Sequence, residues 1–310
     1  MTATPDDSVN MPSLQPYKGG GMHDQYPIYT IETECQDCYR CLRQCPVKAI
    51  QVEGGRATVV PELCIACGQC VAACPSHAKQ VRSDLFAVFK LLRSERQVYV
   101  SLAPSWVMEF PDIPPTSMIA ALRKLGFTGV SETALGAQEV SAGVAQLLSR
   151  RGPKLLLSTA CPAAVDFIRG YMPELVPNLT PLLSPLLSHC RLLRQAYGQH
   201  IGVVFFGPCV AKKTEADHHP GLLDAAMTFT DLRAMFRQEN IDPATIVPGL
   251  ADAFMPQAAR EGALYPIEGG MSDTVKAYAG NDKVCFTTLS GIPTIESALR
   301  DIQTEELTRP

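Results

Sequence analysis

The chain has 310 residues, of which 46% are apolar, 19% charged and 7% aromatic, a length that allows two domains or one with an appendage. Its 27 Lys and Arg against 31 Asp and Glu give a formal charge of -4, which excludes the basic footprint of a nucleic-acid binder and the dense charge of a solvating tail. No apolar run approaches the roughly 18 residues of a membrane span, and the start lacks the basic-then-apolar pattern of a secretory signal, so a cytoplasmic protein with no membrane span is expected.

Residues 1–28 are rich in Pro, Gly, Ser and Asp, with Gly19-Gly20-Gly21 in the middle, and are expected to form a flexible tail. The next segment, 29–83, is governed by cysteine. Of the 12 cysteines, eight lie between positions 35 and 74, and the others stand at 161, 190, 209 and 285. The chain is long and shows no export signal, so reduced thiolates holding a metal are favoured over disulfides. Cys35-x2-Cys38-x2-Cys41-x3-Cys45-Pro46 is repeated as Cys64-x2-Cys67-x2-Cys70-x3-Cys74-Pro75, which indicates an internal duplication. Three thiolates at this spacing let one backbone turn wrap three corners of an iron-sulfur cubane, while in two-cluster domains the fourth cysteine ligates the other cluster. The pattern therefore predicts two 4Fe-4S clusters, one on Cys35, Cys38, Cys41 and Cys74 and one on Cys64, Cys67, Cys70 and Cys45. Zinc sites would show paired Cys-x2-Cys units separated by a longer loop, and a redox dithiol would need only one such pair. Gly54-Gly55 reads as a hairpin turn between the repeats. About 55 residues bury little core, so this segment is expected to need its metal in order to fold.

On these residues, Tyr29 to Arg82 resembles a bacterial-type two-cluster ferredoxin domain, which implies an α+β ferredoxin-like fold and one-electron transfer. Six basic side chains (Arg40, Arg43, Lys48, Arg56, Lys79, Arg82) nearly balance five acidic ones (Glu32, Glu34, Asp37, Glu53, Glu62). A relay attached to the next domain, serving a redox partner protein, is favoured over a charge-steered free carrier.

Leu85, Phe86, Phe89 and Leu92 lie at helical spacing and predict a connecting helix over 84–95. From 96 to 310, apolar strand candidates at 98–103, 127–130, 155–158, 203–206, 226–229 and 284–289 alternate with helix candidates at 116–125, 134–150, 163–170, 184–197, 231–239 and 293–303. That alternation predicts an α/β domain with a mostly parallel sheet. Thr116 and either Thr230 or Asp231 are candidate N-caps, and Gly126 is a candidate helix stop. The Pro- and Gly-interrupted stretch 243–273 carries no assignable pattern.

Cys161 and Cys209 each follow a strand candidate in a Pro-flanked turn, the position where open α/β sheets collect ligands. Ser158-Thr159-Ala160-Cys161-Pro162 and Gly207-Pro208-Cys209-Val210-Ala211-Lys212-Lys213-Thr214-Glu215 resemble two signatures of the iron-only hydrogenase catalytic domain. They stand closer still to divergent hydrogenase-like proteins credited with a sensory role. The runs at Ser101–Trp106, Glu132–Ala137 and Leu182–Pro185 extend the resemblance over roughly residues 29–303. It implies that Cys161 and Cys209 bind the cubane of an active-site cluster and that Lys212 faces a diatomic ligand of its two-iron part. Two departures follow: Ala160 replaces the family's proton-carrying cysteine and has no titratable group, and the third signature, which supplies two further thiolates, does not occur in these 310 residues. Cys190, inside a helix candidate, and Cys285, inside a strand candidate, are expected to be buried thiols rather than replacements. Adjacent His218 and His219 are expected in a solvated loop. A third cluster at Cys161 and Cys209 is thus expected to be absent or labile.

The favoured reading is an iron-sulfur electron-transfer protein whose incomplete hydrogenase-like domain serves as a redox relay or sensor module, not catalytically competent as this chain alone. Alternatives are an iron-only hydrogenase completed by a second chain that supplies the missing ligands, and a structural remnant with no redox role.

Overall fold

A computed structural model describes residues 26–150, 155–279 and 284–308. The duplication is visible first in the strands. β1 (Ile28–Thr30) pairs antiparallel with β4 (Lys79–Val81), and β2 (Ile50–Glu53) pairs antiparallel with β3 (Arg56–Val59). Gly54 and Gly55 join β2 to β3 at φ +57° and +75°; positive φ at both central residues is what a tight hairpin turn of matching twist demands, and glycine adopts it without a Cβ clash. Each repeat also carries one short helix, α1 (Arg40–Gln44) and α2 (Gln69–Ala73). Residues 1–25 of the expected tail lie outside the described residues. Its last residue, Ile28, is 3% exposed and already opens β1, because its side chain joins the apolar core around the cysteines.

α3 (Leu85–Leu92) leads into a sheet of four parallel strands, ordered β6 (Gly129–Glu132), β5 (Val98–Leu102), β7 (Gly202–Gly207), β8 (Ala225–Thr228). Every residue of β5 and β7 is buried, as a sheet covered by helices on both faces requires. The helices are α4 (Trp106–Glu109), α5 (Pro115–Lys124), α6 (Ala134–Arg150), α7 (Pro162–Tyr171), α8 (Pro185–Tyr197), α9 (Lys212–His218), α10 (Phe229–Gln238), α11 (Gly270–Ala279) and α12 (Ile292–Thr308). No helix among the described residues is long and apolar enough to cross a membrane.

Several expectations are corrected. Leu155–Ser158 forms only one bridge, Leu157 with Leu179, and residues 284–289 form no strand; short apolar runs carry no periodicity that distinguishes a strand from other buried chain. Thr116 is not a cap, since Pro115 takes the first helical position and fixes φ for α5. Gly126 does follow the end of α5, at φ +105°. The α10 cap is Thr228 rather than Thr230 or Asp231: its hydroxyl accepts from the Asp231 N–H at 3.1 Å and Asp231 Oδ2 accepts from the Thr228 N–H at 2.9 Å, a reciprocal capping box. Within the unassigned stretch and just beyond it, α11 forms.

Candidate metal centre

Each cysteine repeat is built by the same local moves. A 3-10 turn, Glu32–Glu34 or Pro61–Leu63, delivers the first cysteine in extended conformation. Left-handed residues follow at Asp37 and Tyr39 in one repeat, at Ala66 and Gly68 in the other, and again at Lys48 and His77. These reversals fold the loop around its own thiols, and the third cysteine, Cys41 or Cys70, then sits in the short helix. The fourth, Cys45 or Cys74, is the extended residue that closes that helix, immediately before a proline that cannot continue it.

Electrostatic neighbours show which thiols come together. Cys41 is acted on by Cys74 and Cys35. Cys45 acts instead on Cys64, Cys67 and Cys70. The fourth thiol of each repeat is thereby brought to the other repeat's loop. Cys38 is exposed, whereas Cys41, Cys45 and Cys70 are buried. Burial pushes Cys41, Cys64 and Cys67 up and Cys70 to about 12. For Cys74 burial acts upward, but the N–H groups of Lys79, Ala78 and Ser76 and the Ser76 hydroxyl hold it below the ordinary thiol value. The Ala49 N–H lies 3.1 Å from Cys45 Sγ and the Ala66 N–H 3.4 Å from Cys64 Sγ. Among the described residues no group of three converges tightly enough to cage a single ion. Thiols set apart around an apolar interior, with N–H groups aimed at sulfur, fit a cubane: its corners are spread, and its thiolates gain from such hydrogen bonds.

The second pair stands beside this region. Cys161 caps α7 ahead of Pro162, and Cys209 follows β7. Cys161 acts on Cys209, whose thiol burial pushes up while Lys212 draws it down. Lys212 Nζ donates to Glu215 Oε2 at 2.8 Å and to the Ala160 carbonyl at 3.3 Å. A Cβ on Gly207 would lie 2.3 Å from the Phe205 ring and 2.9 Å from Ala103 Cβ, so only glycine lets the chain leave the sheet here toward Cys209. Ala66, Ala163 and Ala211 pack together with Cys67, Cys209 and Val210, and Cys161 acts on Cys67. The second repeat thus abuts the Cys161–Cys209 crevice through small side chains.

The remaining candidates divide. Cys190 is fully buried in α8, with Glu215, Arg194, Lys212 and Asp224 as charged neighbours and burial pushing its thiol up. Cys285 is exposed and lies in no strand, contrary to expectation, since the run 284–289 finds no partner strand. His218 ends α9 and His219 caps it, so both are exposed on a helix end rather than in a loop. Sequence reasoning passed over three features. Lys79 is 2% exposed in β4, with Nζ donating to Thr30 Oγ1 at 2.6 Å and to the Ala57 carbonyl at 2.5 Å. The Tyr171 hydroxyl donates to the Leu63 carbonyl at 2.7 Å beside Cys45 and Cys64. Arg82 holds Asp217 at 2.8 and 2.9 Å and Asp84 at 2.9 Å, and Asp84 in turn holds Lys213 at 2.9 Å, tying the cysteine region to α9. Aligning the two repeats would have flagged Lys79, which falls where the first repeat has Ile50.

Comparison with known proteins matches residues 27–75 to the 4Fe-4S dicluster domain and residues 96–309 to the family described as iron only hydrogenase large subunit, C-terminal domain. The periplasmic Fe hydrogenase large subunit of Nitratidesulfovibrio vulgaris is 28% identical over 281 residues, covering 80% of this chain and 66% of that protein. Iron hydrogenase 1 of Clostridium pasteurianum is 26% identical over 212 residues, covering 58% of this chain and 36% of that protein. The chain thus spans about two thirds of one relative and about a third of the other. A solved FeFe hydrogenase of Chlamydomonas reinhardtii superposes with a TM-score of 0.55 at 22% identity, covering 67% of this chain and 60% of that one, a likeness of fold. The chain belongs to the iron-only hydrogenase large-subunit family, with a 4Fe-4S dicluster domain ahead of the hydrogenase-type C-terminal domain.

Proposed function

We propose that the chain is an electron-relay or redox-sensing module in which the Cys35, Cys38, Cys41, Cys74 set and the Cys45, Cys64, Cys67, Cys70 set each hold one 4Fe-4S cubane. When bound, a cubane supplies reversible storage of one electron. The observation that carries the reading is the packing of Cys67 with Cys209 across Ala66, Ala163 and Ala211, with Cys161 near enough to act on Cys67. The alanines leave no bulky insulation, and Tyr171 and the Arg82–Asp84–Lys213 contacts keep the two regions in register. The thiols shed protons on binding iron, and the N–H groups at Cys45, Cys64 and Cys74 stabilise the resulting thiolates. At the crevice, Lys212 is oriented by Glu215 toward the Ala160 carbonyl and offers an ammonium to an anionic ligand. Ala160 leaves that crevice without a proton carrier at the position next to Cys161.

Anaerobic reconstitution tests the reading. About eight irons and eight sulfides per chain are expected, because eight thiolates complete two cubanes. Cys45→Ser should lower the content by roughly half and alter the electron paramagnetic resonance (EPR) signal shared with Cys64→Ser rather than that shared with Cys35→Ser. Zinc in place of iron, or loss of the Cys35-type signal in the Cys45 variant, overturns it. A second reading, hydrogenase activity with the missing thiolates supplied by another chain, is favoured by the meeting of Cys161, Cys209 and Lys212. Hydrogen evolution by the purified 310-residue chain from dithionite and a dye would displace the relay reading; none is expected.

A further inference from the structure

The duplication provides an internal control for one residue. Strand register pairs Ile50 with Val59 across β2 and β3, and Lys79 with Thr30 across β4 and β1. These are equivalent pairs in the two repeats. Ile50 and Val59 are apolar and buried, at 7% and 6% exposure, whereas the equivalent pair is a hydroxyl and an ammonium, with Lys79 at 2%. Thr30 Oγ1 donates to the Ala57 carbonyl at 3.1 Å and accepts from Lys79 Nζ, which itself reaches the same carbonyl. Both members of the pair therefore differ together, and the threonine supplies the seat that the lysine needs. The groups whose charge acts most on Lys79 are Cys41, Cys70, Cys35 and Cys74, with no carboxylate among them. An ammonium withdrawn from water is costly unless negative charge offsets it, and here that charge is thiolate.

We propose that Lys79, seated by Thr30 and the Ala57 carbonyl, is the resident counter-cation of the duplicated cysteine region and makes the Cys35, Cys38, Cys41, Cys74 site the more easily reduced of the two. The inference rests on the two-cubane reading above. Five thiols are coupled to Lys79, three of that site (Cys41, Cys35, Cys74) and two of the other (Cys70, Cys64), and the Lys79 N–H itself serves Cys74, so the lysine favours negative charge added there. Reduction takes one electron from a one-electron donor, forms no bond and moves no proton. Because Cys67 of the other site abuts the Cys161–Cys209 crevice, the asymmetry holds a resting electron on the side away from the crevice.

The test uses the full chain, reconstituted anaerobically, titrated with dithionite in the presence of mediators and followed by EPR. Fewer than two cubanes in the unaltered chain overturns the two-cubane reading, and this inference with it. With two cubanes present, two separated reduction steps are expected. Thr30→Val combined with Lys79→Ile installs the apolar pair already tolerated at Val59 and Ile50; it should move the first step to more negative potential and draw the two steps together. Lys79→Arg keeps the charge and should keep the steps apart. Two intact cubanes with unmoved steps in the paired variant overturn the role of Lys79 while leaving the two-cubane reading standing. If the paired variant loses a cubane, Cys38→Ser decides: altering the exposed thiol of the first site should shift the first step and spare the second, and the reverse pattern overturns the assignment.

Discussion

His189 shows how much a single buried polar side chain can weigh. It is fully buried in α8, its Nδ1 lies 2.8 Å from Ser101 Oγ and its Nε2 2.7 Å from Ser131 Oγ, and burial holds its pKa down at about 3. The folded chain keeps this ring neutral, while the unfolded chain protonates it near pH 6.5. Stability is therefore fully present above pH 6.5 and falls as the pH drops toward 3, by about 2 kcal/mol between pH 7 and pH 5. Urea unfolding of the iron-free chain, followed at the sole tryptophan, Trp106, which is 2% exposed in the sheet core, should show that decline. His189→Gln should flatten it while lowering stability at pH 7 by ~1–3 kcal/mol, because one serine loses its partner. An acid limb that survives the substitution unchanged would assign the decline to other groups.

At the scale of elements, helix ends and close helix contacts decide how the helices seat on the sheet. α6 and α8 touch at Gly136, where a Cβ would stand 2.0 Å from the Pro185 carbonyl and 2.6 Å from the His189 N–H. Gly136→Ala must push α8 away and should cost about 1–3 kcal/mol or more, as overpacking does. Thr228→Ala removes one half of the α10 capping box and should cost about 1 kcal/mol. Thermal melts of the two variants would rank them; a Thr228 loss that exceeds the Gly136 loss would mean that α6 and α8 separate freely. The α10 cap was legible as a Thr-x2-Asp pattern, yet the expected cap falls two or three residues late, because Thr230 and Asp231 also satisfy cap chemistry. Only backbone geometry distinguishes the residue that leaves the helix from those inside it.

For the whole molecule, the apolar core of the cysteine region is not closed on itself. Phe167, Ile168, Met172 and Leu175, from α7 and the turn after it, and Ile292 and Leu299 of α12 belong to the same cluster as Cys41, Cys45 and Cys70. Metal removal should thus unfold β1–β4 and also loosen α7 and α12, while β5–β8 persist, because the sheet has its own buried cluster. Hydrogen exchange before and after chelation should show lost protection in the first set and retained protection in the sheet. Uniform loss would mean that one cooperative unit spans the chain.

What the sequence determined alone was local and chemical. Cysteine spacing, the Gly-Gly turn and the two hydrogenase-like signatures each depend on neighbours a few residues apart, where steric and ligand rules act without reference to the rest of the chain. The four buried strands were legible for the same reason, as apolar runs between breakers. Tertiary structure alone decided that Leu155–Ser158 and residues 284–289 stay out of the sheet, since a strand exists only if another edge accepts its hydrogen bonds. It also decided that Cys161, coming from outside the sheet, meets Cys209 beside Cys67. Lys79 lies between these cases: its identity is plain in the sequence, but its burial among the thiols of both sites exists only once β4 pairs with β1.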